Sequence, residues 1–449
     1  MGRIFGKNGI RGIAVTEITC ELAMQIGRAA AKIMAAPNGR TKILVGKDMR
    51  HSSDALEAAL CAGICSAGAD AELLGEVPSP VLAWHIRRRE AQGGIMITAA
   101  HTNGEYNGIK LYSSYGYRLG EDGEDGIERL LLDVPDEIEP VQLKKYGSII
   151  CCENALDEYS AYIKEIAPVD LNGLKIAIDC ANGSTSLTAE DIFTSLGAEV
   201  CMLGNTPDGQ NINTSGSTRI DSLMEYVTEN ECDCGIAFDG SGERCLAVDE
   251  NGCLVDGDVI IAACAGYMKS QDRLRNNSIL VTQANNLGLL RFARNNDIGT
   301  AAAPTGERNM MHRMLECGFS IGGDPQGSVL FPDDMPSFDG QLTGIRLLEA
   351  MKAEDKKMSE LTEIIEKTPQ VMFSVPIGRK YREVWKNNRA ITDLIDEYEN
   401  ILGEDGRIIV RELGKESVIR IRIEGRDFSA INAMALEIAE VIKTQLPQE

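Results

Sequence analysis

Short apolar runs alternate with stretches of helical period along most of the chain. Lys42 to Val45 is the first strand-like run, and His51-Ser52-Ser53 then reads as the cap of an Ala- and Leu-rich helix from about Asp54. Leu73 and Leu74 open a further strand, Pro78 and Pro80 bracket entry to a helix carrying Trp84, and Gly94 to Thr98 is an apolar strand that runs into a small-residue loop. A second cycle takes Lys175 to Ile178 as strand, a helix near Leu187 to Leu196, and Cys234 to Phe238 as strand. A third has Ile279 to Thr282, a helix from about Glu307, and Ser320-Ile321 leading into glycines. This alternation predicts parallel α/β layers. Three times a glycine-bearing loop leaves a buried strand, and ligands of open parallel sheets bind at such carboxyl-end loops, so the three are expected to share one cleft.

From about Thr368 the texture changes. Val371 to Val375, a charged helix, the paired runs Arg407 to Val410 and Val418 to Ile423, and a helix from Asp427 predict a smaller α+β domain with antiparallel pairing. A chain of 449 residues exceeds what one core organises, so three or four domains are expected.

Charge narrows the partners. With 68 acidic against 45 basic residues the formal charge is −23, which repels a phosphate backbone, so nucleic acid is excluded as a ligand class. A small phosphorylated ligand remains compatible, because backbone amides and a few arginines bind phosphate locally. No apolar run approaches the ~18 residues of a membrane span, and the start MGRIFGKNGIRG lacks signal-peptide regions, so a cytoplasmic location without membrane association is expected. The 13 cysteines then read as reduced core residues, and none has the paired spacing of a zinc site.

Several segments carry a resemblance. Phe5 to Gly12 (FGKNGIRG) resembles FGTDGIRG, Val45 to Arg50 resembles VGxDxR, and Pro207 to Asn213 with Gly216-Ser217-Thr218 resembles PDGxNIN…GST. These are motifs of the α-D-phosphohexomutases, and the last belongs to their phosphoglucosamine mutase branch. The likeness runs in order from residue 3 to about 425. It implies a four-domain α/β architecture: α/β domains over 1–152, 153–254 and 255–367, with mixed sheets, and a C-terminal α+β domain over 368–449.

The same resemblance assigns the loops. Gly93 to Lys110 (GGIMITAAHTNGEYNGIK) is similar to the family's catalytic loop, in which Thr-Ala-Ser-His-Asn-Pro supplies a serine that carries the phosphate. Here the serine position is Ala100, while His101, Lys110 and Arg11 are kept. A methyl group supplies neither an acceptor oxygen nor a metal ligand. The family's DGDxDR places three aspartates on a magnesium ion; this chain has Asp239, Ser241 and Glu243, then Arg244. The loop keeps at most weak divalent binding, since Mg²⁺ demands near-octahedral oxygen contacts at about 2.0–2.1 Å. The sugar loop GGEQSGH corresponds to Gly322 to Ser328, with Asp324, Gln326 and Ser328 at the contact positions alongside Arg244. The phosphate loop RPSGTEP corresponds to Arg411 to Ser417, where Arg411, Gly414, Lys415 and the nearby Arg420 leave a cationic patch but Glu412 opposes an anion.

Two readings follow. Four altered loops on an intact frame favour a pseudoenzyme that has lost phosphoserine-dependent transfer and binds a hexose or hexosamine phosphate, or a protein partner. The alternative is an active phosphohexomutase, an isomerase working as an intramolecular phosphotransferase, with a non-standard nucleophile. No cofactor is assigned beyond weakened Mg²⁺. The resemblance further implies a dimer through the first domain, either of identical chains or with an active paralogue.

Overall fold

The structure is a computed structural model that describes residues 2–6, 8–382, 384–413 and 417–447. Its Cα framework falls into two compact units, Met1–Asn285 with Ala293–Ile364, and Asn286–Phe292 with Ile365–Glu449.

The first unit contains three sheets. In the largest, the strand order is Ile10–Ile13, Tyr106–Ser113, Gly93–Ile97, Lys42–Lys47, Asp70–Glu76 and Ile149–Cys151. Lys42–Lys47 runs parallel to both of its neighbours, whereas Tyr106–Ser113 is antiparallel to Gly93–Ile97 and to Ile10–Ile13. Gly93–Ile97 is buried at every residue, which is why it reads as a continuous apolar run rather than an alternating one. Helices Cys20–Ile33 and Ser53–Ser66 cover one face, with Ile26, Ala30, Leu60 and Ile64 in a shared core beside Val45, Ile95 and Ile109. These helices approach closely through Gly27 and Gly63: a Cβ on either would strike the partner's backbone, at the Leu60 or the Met24 carbonyl.

The second sheet orders Leu254–Val255, Cys245–Asp249, Cys234–Phe238, Lys175–Asp179 and Glu199–Leu203. The third orders Gly299–Ala303, Ser278–Thr282, Gly322–Gly323 and Val329–Leu330. Both mix parallel pairs with an antiparallel hairpin, Cys234–Phe238 with Cys245–Asp249 in one, flanked by the edge strand Leu254–Val255, and Gly322–Gly323 with Val329–Leu330 at the edge of the other. Each hairpin turns through one of the glycine loops anticipated above.

The second unit has a three-stranded antiparallel sheet, Gln370–Pro376, Val418–Glu424 and Arg407–Leu413 in that order. Helix Phe428–Gln445 packs Ile431, Ile438 and Ile442 against Ile419, Ile421 and Ile423, and Asp427 caps it by accepting from Ser429 N and Ala430 N.

Four local expectations need correction. Ser52 and Ser53 do not cap their helix by side chain: Ser52 Oγ accepts from Asn107 Nδ2 at 2.8 Å, and Ser53 Oγ donates to Asp48 at 3.3 Å. The strand expected from Leu73 begins at Asp70, because Glu72 is neutralised by Arg89 at 2.9 Å and so is tolerated in a buried position. The helix expected over Leu187 to Leu196 is a 3₁₀ turn at Ser184–Leu187 followed by the shorter Ala189–Ser195. Cys20, Cys151 and Cys253 are exposed, not core, Cys151 on the outermost strand of its sheet. Among the described residues no helix is long and apolar enough to cross a membrane.

Candidate active site

Ala100 sits where strand Gly93–Ile97 ends, buried and with φ at +50°, so the loop turns in the left-handed region at the position the resemblance gives to serine. Its turn is held from within by Thr98, whose Oγ1 accepts Ala100 N at 2.9 Å and donates to Asp48 Oδ2 at 2.5 Å. From outside it is held by Arg50. This fully buried guanidinium pairs with Asp48 at 3.0 Å and donates to four carbonyls, those of Ala100 (3.0 Å), Thr102 (2.8 Å), Tyr106 (3.0 Å) and Asn103. Four carbonyls of the Ala100–Tyr106 stretch and one carboxylate thereby converge on one arginine, a use suited to its rigid fork of donors.

A second clamp comes from Asn213, the last residue of the Pro207–Asn213 motif. Its Nδ2 donates to the carbonyls of Ala100 (2.8 Å) and Thr102 (2.7 Å), and its Oδ1 accepts Gly240 N at 2.8 Å. One amide therefore ties the Ala100 loop to the Asp239 loop. Asp48, Arg50 and Asn213 were visible only as motif letters, and no role was read for them from the sequence.

The Asp239–Arg244 loop is internally satisfied. Asp239 Oδ1 accepts the backbone amides of Glu243 (2.8 Å) and Arg244 (2.9 Å), and its Oδ2 accepts the Ser241 hydroxyl at 2.7 Å. Glu243 turns to the neighbouring sheet, where Lys110 Nζ donates to its Oε1 in a pair buried on both sides. Burial alone would lift the Glu243 pKa, but the charge and hydrogen bond of Lys110 hold it below the usual carboxylate value. For the magnesium that the resemblance implies, this donor set does not fit. Asp239 has both oxygens engaged, Ser241 offers a neutral hydroxyl, Glu243 carries an ammonium, and among the described residues no three acidic, imidazole or thiol side chains group as a metal site.

Cations gather beside Ala100. Arg11 reaches the site from strand Ile10–Ile13, which pairs Arg11 with Gly108, itself bonded to Thr98, and among the described residues its buried Nε has no hydrogen-bond partner. Burial lowers the Arg11 pKa, and Arg50 and Arg244 lower it further against the pull of Glu243 and Asp239. His101 is pushed down to about 4, first by burial and then by Arg244, Arg11 and Lys110, with Asp239 opposing; its imidazole is neutral at pH 7. Behind the Lys110–Glu243 pair, Glu307 faces Arg118 at 3.9 Å, and burial with the Glu243 charge raises it to about 7.

In the third loop Asp324 folds back on itself, its Oδ1 accepting from Gln326 N (3.0 Å) and Ser328 N (3.3 Å), and burial raises its pKa. Ser328 is buried, while Gln326 is exposed and accepts from Arg244 Nη2 at 2.8 Å. Arg244 thus links this loop to the Asp239 loop. The structure brings together Arg11, Ala100, His101, Lys110, Asp239, Ser241, Glu243 and Arg244, and joins Gln326 to them through Arg244.

The remaining expected contacts lie in the second unit. Arg411 and Arg420 face each other across paired strands, with Arg420 Nε donating to Ser374 Oγ at 3.4 Å. Glu412 is neutralised by Arg382 at 2.9 Å, which answers the expectation that its charge opposes an anion there. Gly414 and Lys415 lie outside the described residues.

Comparison with known proteins agrees along the whole length. Family models for phosphoglucomutase/phosphomannomutase match as alpha/beta/alpha domain I over residues 2–135, domain II over 157–252, domain III over 256–368 and the C-terminal domain over 353–441. The phosphoglucosamine mutase of Acetivibrio thermocellus is 42% identical over 448 residues, covering 99% of this chain and all of that protein. Among solved structures, a phosphoglucomutase/phosphomannomutase family protein from Burkholderia thailandensis superposes with a TM-score of 0.81 at 23% identity, covering 98% of this chain and 97% of that one. The Aspergillus fumigatus N-acetylphosphoglucosamine mutase, solved as its S69A variant in complex with glucose 1,6-bisphosphate, does so with a TM-score of 0.66 at 14% identity, covering 99% of this chain and 96% of that one. Its complex with GlcNAc-6P and magnesium gives 0.70 at 15%, with 98% and 95% covered. With four consecutive domain matches and a full-length relative at this identity, the chain belongs to the phosphoglucomutase/phosphomannomutase family of α-D-phosphohexomutases, within its phosphoglucosamine mutase branch.

Proposed function

We propose that this protein binds a phosphorylated hexose or hexosamine in the cleft between these loops and does not carry a phosphoryl group on the Ala100 loop. One observation carries the reading: a buried methyl group stands at the turn where the family's acceptor hydroxyl is expected, inside a loop whose clamps are all in place. The cations support binding. Among the described residues Arg11 Nε is a buried donor without a partner, near enough to His101 to act on its charge, and charge-assisted bonds to phosphate are worth roughly 1.5–3 kcal/mol each. The A. fumigatus relative, solved as its S69A variant in complex with glucose 1,6-bisphosphate, supports bisphosphate binding by this fold.

A second reading, an active mutase, has its own supporting observation. His101 follows Ala100 directly, and a neutral imidazole is the nucleophilic form. Against it stands geometry, since a misplacement of ~1 Å can cost about 10²-fold in an in-line transfer.

One experiment separates the two. The purified protein is incubated with glucose 1,6-bisphosphate and its intact mass is measured, while a thermal-shift panel of hexose and hexosamine phosphates reports binding. Unchanged mass with a ligand-dependent rise in Tm is the expected result. An added ~80 Da, acid-labile and mapped to His101, together with interconversion of hexosamine 1- and 6-phosphates, would establish the active reading instead.

A further inference from the structure

Lys110 and Glu243 stand on different sheets, and their pairing changes what kind of site this is. The third acidic position of the loop is closed to a metal because an ammonium already sits on it. The second position is a hydroxyl turned inward to Asp239, and Asp239 spends its other oxygen on two backbone amides. With Ser241 at the second position the loop carries two carboxylates, Asp239 and Glu243, where the resemblance expects three aspartates, and Arg11, Lys110 and Arg244 stand beside them, so the site holds one negative charge fewer before any ion is added. Arg118 and Glu307 behind them face each other and add no net charge while both are ionised. A site with three aspartates needs a dication before it tolerates a phosphate. This one does not.

We infer that Lys110 is the resident cation of the cleft, standing in for the divalent metal, so that phosphorylated ligands bind here without metal. This rests on the binding reading above and adds to it that the lysine supplies the compensating charge. Glu243 serves as a positioning residue: it holds the ammonium of Lys110, carried on strand Tyr106–Ser113, against the Asp239 loop by a bond that needs no exchangeable ion. Because the charge is covalently attached, chelation cannot remove it.

Two measurements on the full-length protein test this. Calorimetric titration with glucose 1,6-bisphosphate is run in excess EDTA and in excess Mg²⁺; the affinities should agree within about twofold, and Lys110→Met in EDTA should bind at least about tenfold more weakly while Lys110→Arg retains binding. A wild-type affinity at least about tenfold tighter with Mg²⁺ would overturn the inference. Independently of any sugar phosphate, the electron paramagnetic resonance of Mn²⁺ should remain that of the free ion with wild-type protein and become bound-type with Lys110→Met/Ser241→Asp/Glu243→Asp. Tight Mn²⁺ binding by the wild type would overturn it even where no bisphosphate binds, an outcome that by itself would sink only the binding reading. Should Lys110→Met fail to fold, the wild-type titrations and the Mn²⁺ spectrum still decide.

Discussion

Asn213 Nδ2 lies 2.8 Å from the Ala100 carbonyl oxygen while Asn213 Oδ1 accepts Gly240 N at 2.8 Å, so a single side chain sets the spacing between the two loops that meet in the cleft. It does so from a left-handed backbone position, φ +61°, which asparagine tolerates better than most residues. Asn213→Ala removes three hydrogen bonds and strains the backbone; Asn213→Gly removes the same bonds without strain. Both should lower the unfolding free energy, by about 2–4 kcal/mol for alanine, with glycine about 1 kcal/mol less affected. Denaturant melts read this directly. Equal, near-zero losses would show that the bridge is not structural.

The Asp48–Arg50 pair makes a sharper prediction. Both side chains are buried, and Asp48 also receives Thr98 and Ser53 hydroxyls. Arg50→Met leaves Asp48 charged and uncompensated and removes one donor from each of four carbonyls, a change expected to cost about 3–5 kcal/mol. Asp48→Asn/Arg50→Met should recover part of that loss, since the charge goes with its partner. A double-mutant cycle on denaturant midpoints measures the coupling, and additive single losses would remove Asp48 from the role given it.

Restoring the hydroxyl alone should not restore transfer. Ala100→Ser places an acceptor oxygen at the turn, yet the Asp239 loop beside it stays satisfied by Ser241 and its own backbone, and Glu243 stays on Lys110. After incubation with glucose 1,6-bisphosphate, Ala100→Ser should keep its mass, whereas Ala100→Ser/Ser241→Asp/Glu243→Asp should gain ~80 Da in the presence of Mg²⁺. Phosphorylation of the single variant would show that the metal loop is not limiting.

How far the sequence disclosed these features depended on their range. The strands that deliver the loops were legible because burial on both faces leaves continuous apolar runs, as in Gly93–Ile97 and Cys234–Phe238. The turn at Ala100 was legible as a family motif. What remained hidden were partners chosen by tertiary structure: Lys110 finds Glu243 across 133 positions, and Asn213 finds Ala100 across 113. No periodicity encodes such pairings. The early start of strand Asp70–Glu76 was missed for the same reason, because Glu72 looks like a solvent residue until Arg89 is folded against it.

The pH dependence of stability should carry the signature of Asp339. This buried carboxyl caps helix Gly340–Glu354 by accepting Leu342 N at 3.0 Å and accepts the Tyr159 hydroxyl at 2.8 Å, yet burial outweighs both bonds and raises its pKa from 3.8 to about 6. A raised folded-state pKa means that the native protein holds this proton more tightly than the unfolded chain does. The resulting contribution is therefore complete below about pH 4 and is lost as the pH climbs through about 6, a swing of at most about 3 kcal/mol. Asp339→Asn keeps an acceptor for Leu342 N and a polar partner for Tyr159 but has no proton to lose. Its Tm should match the wild type near about pH 4 and exceed it near about pH 8, where the wild type holds a buried charge. Wild-type and Asp339→Asn profiles that run parallel across that window would show that Asp339 is ionised in the fold at no cost.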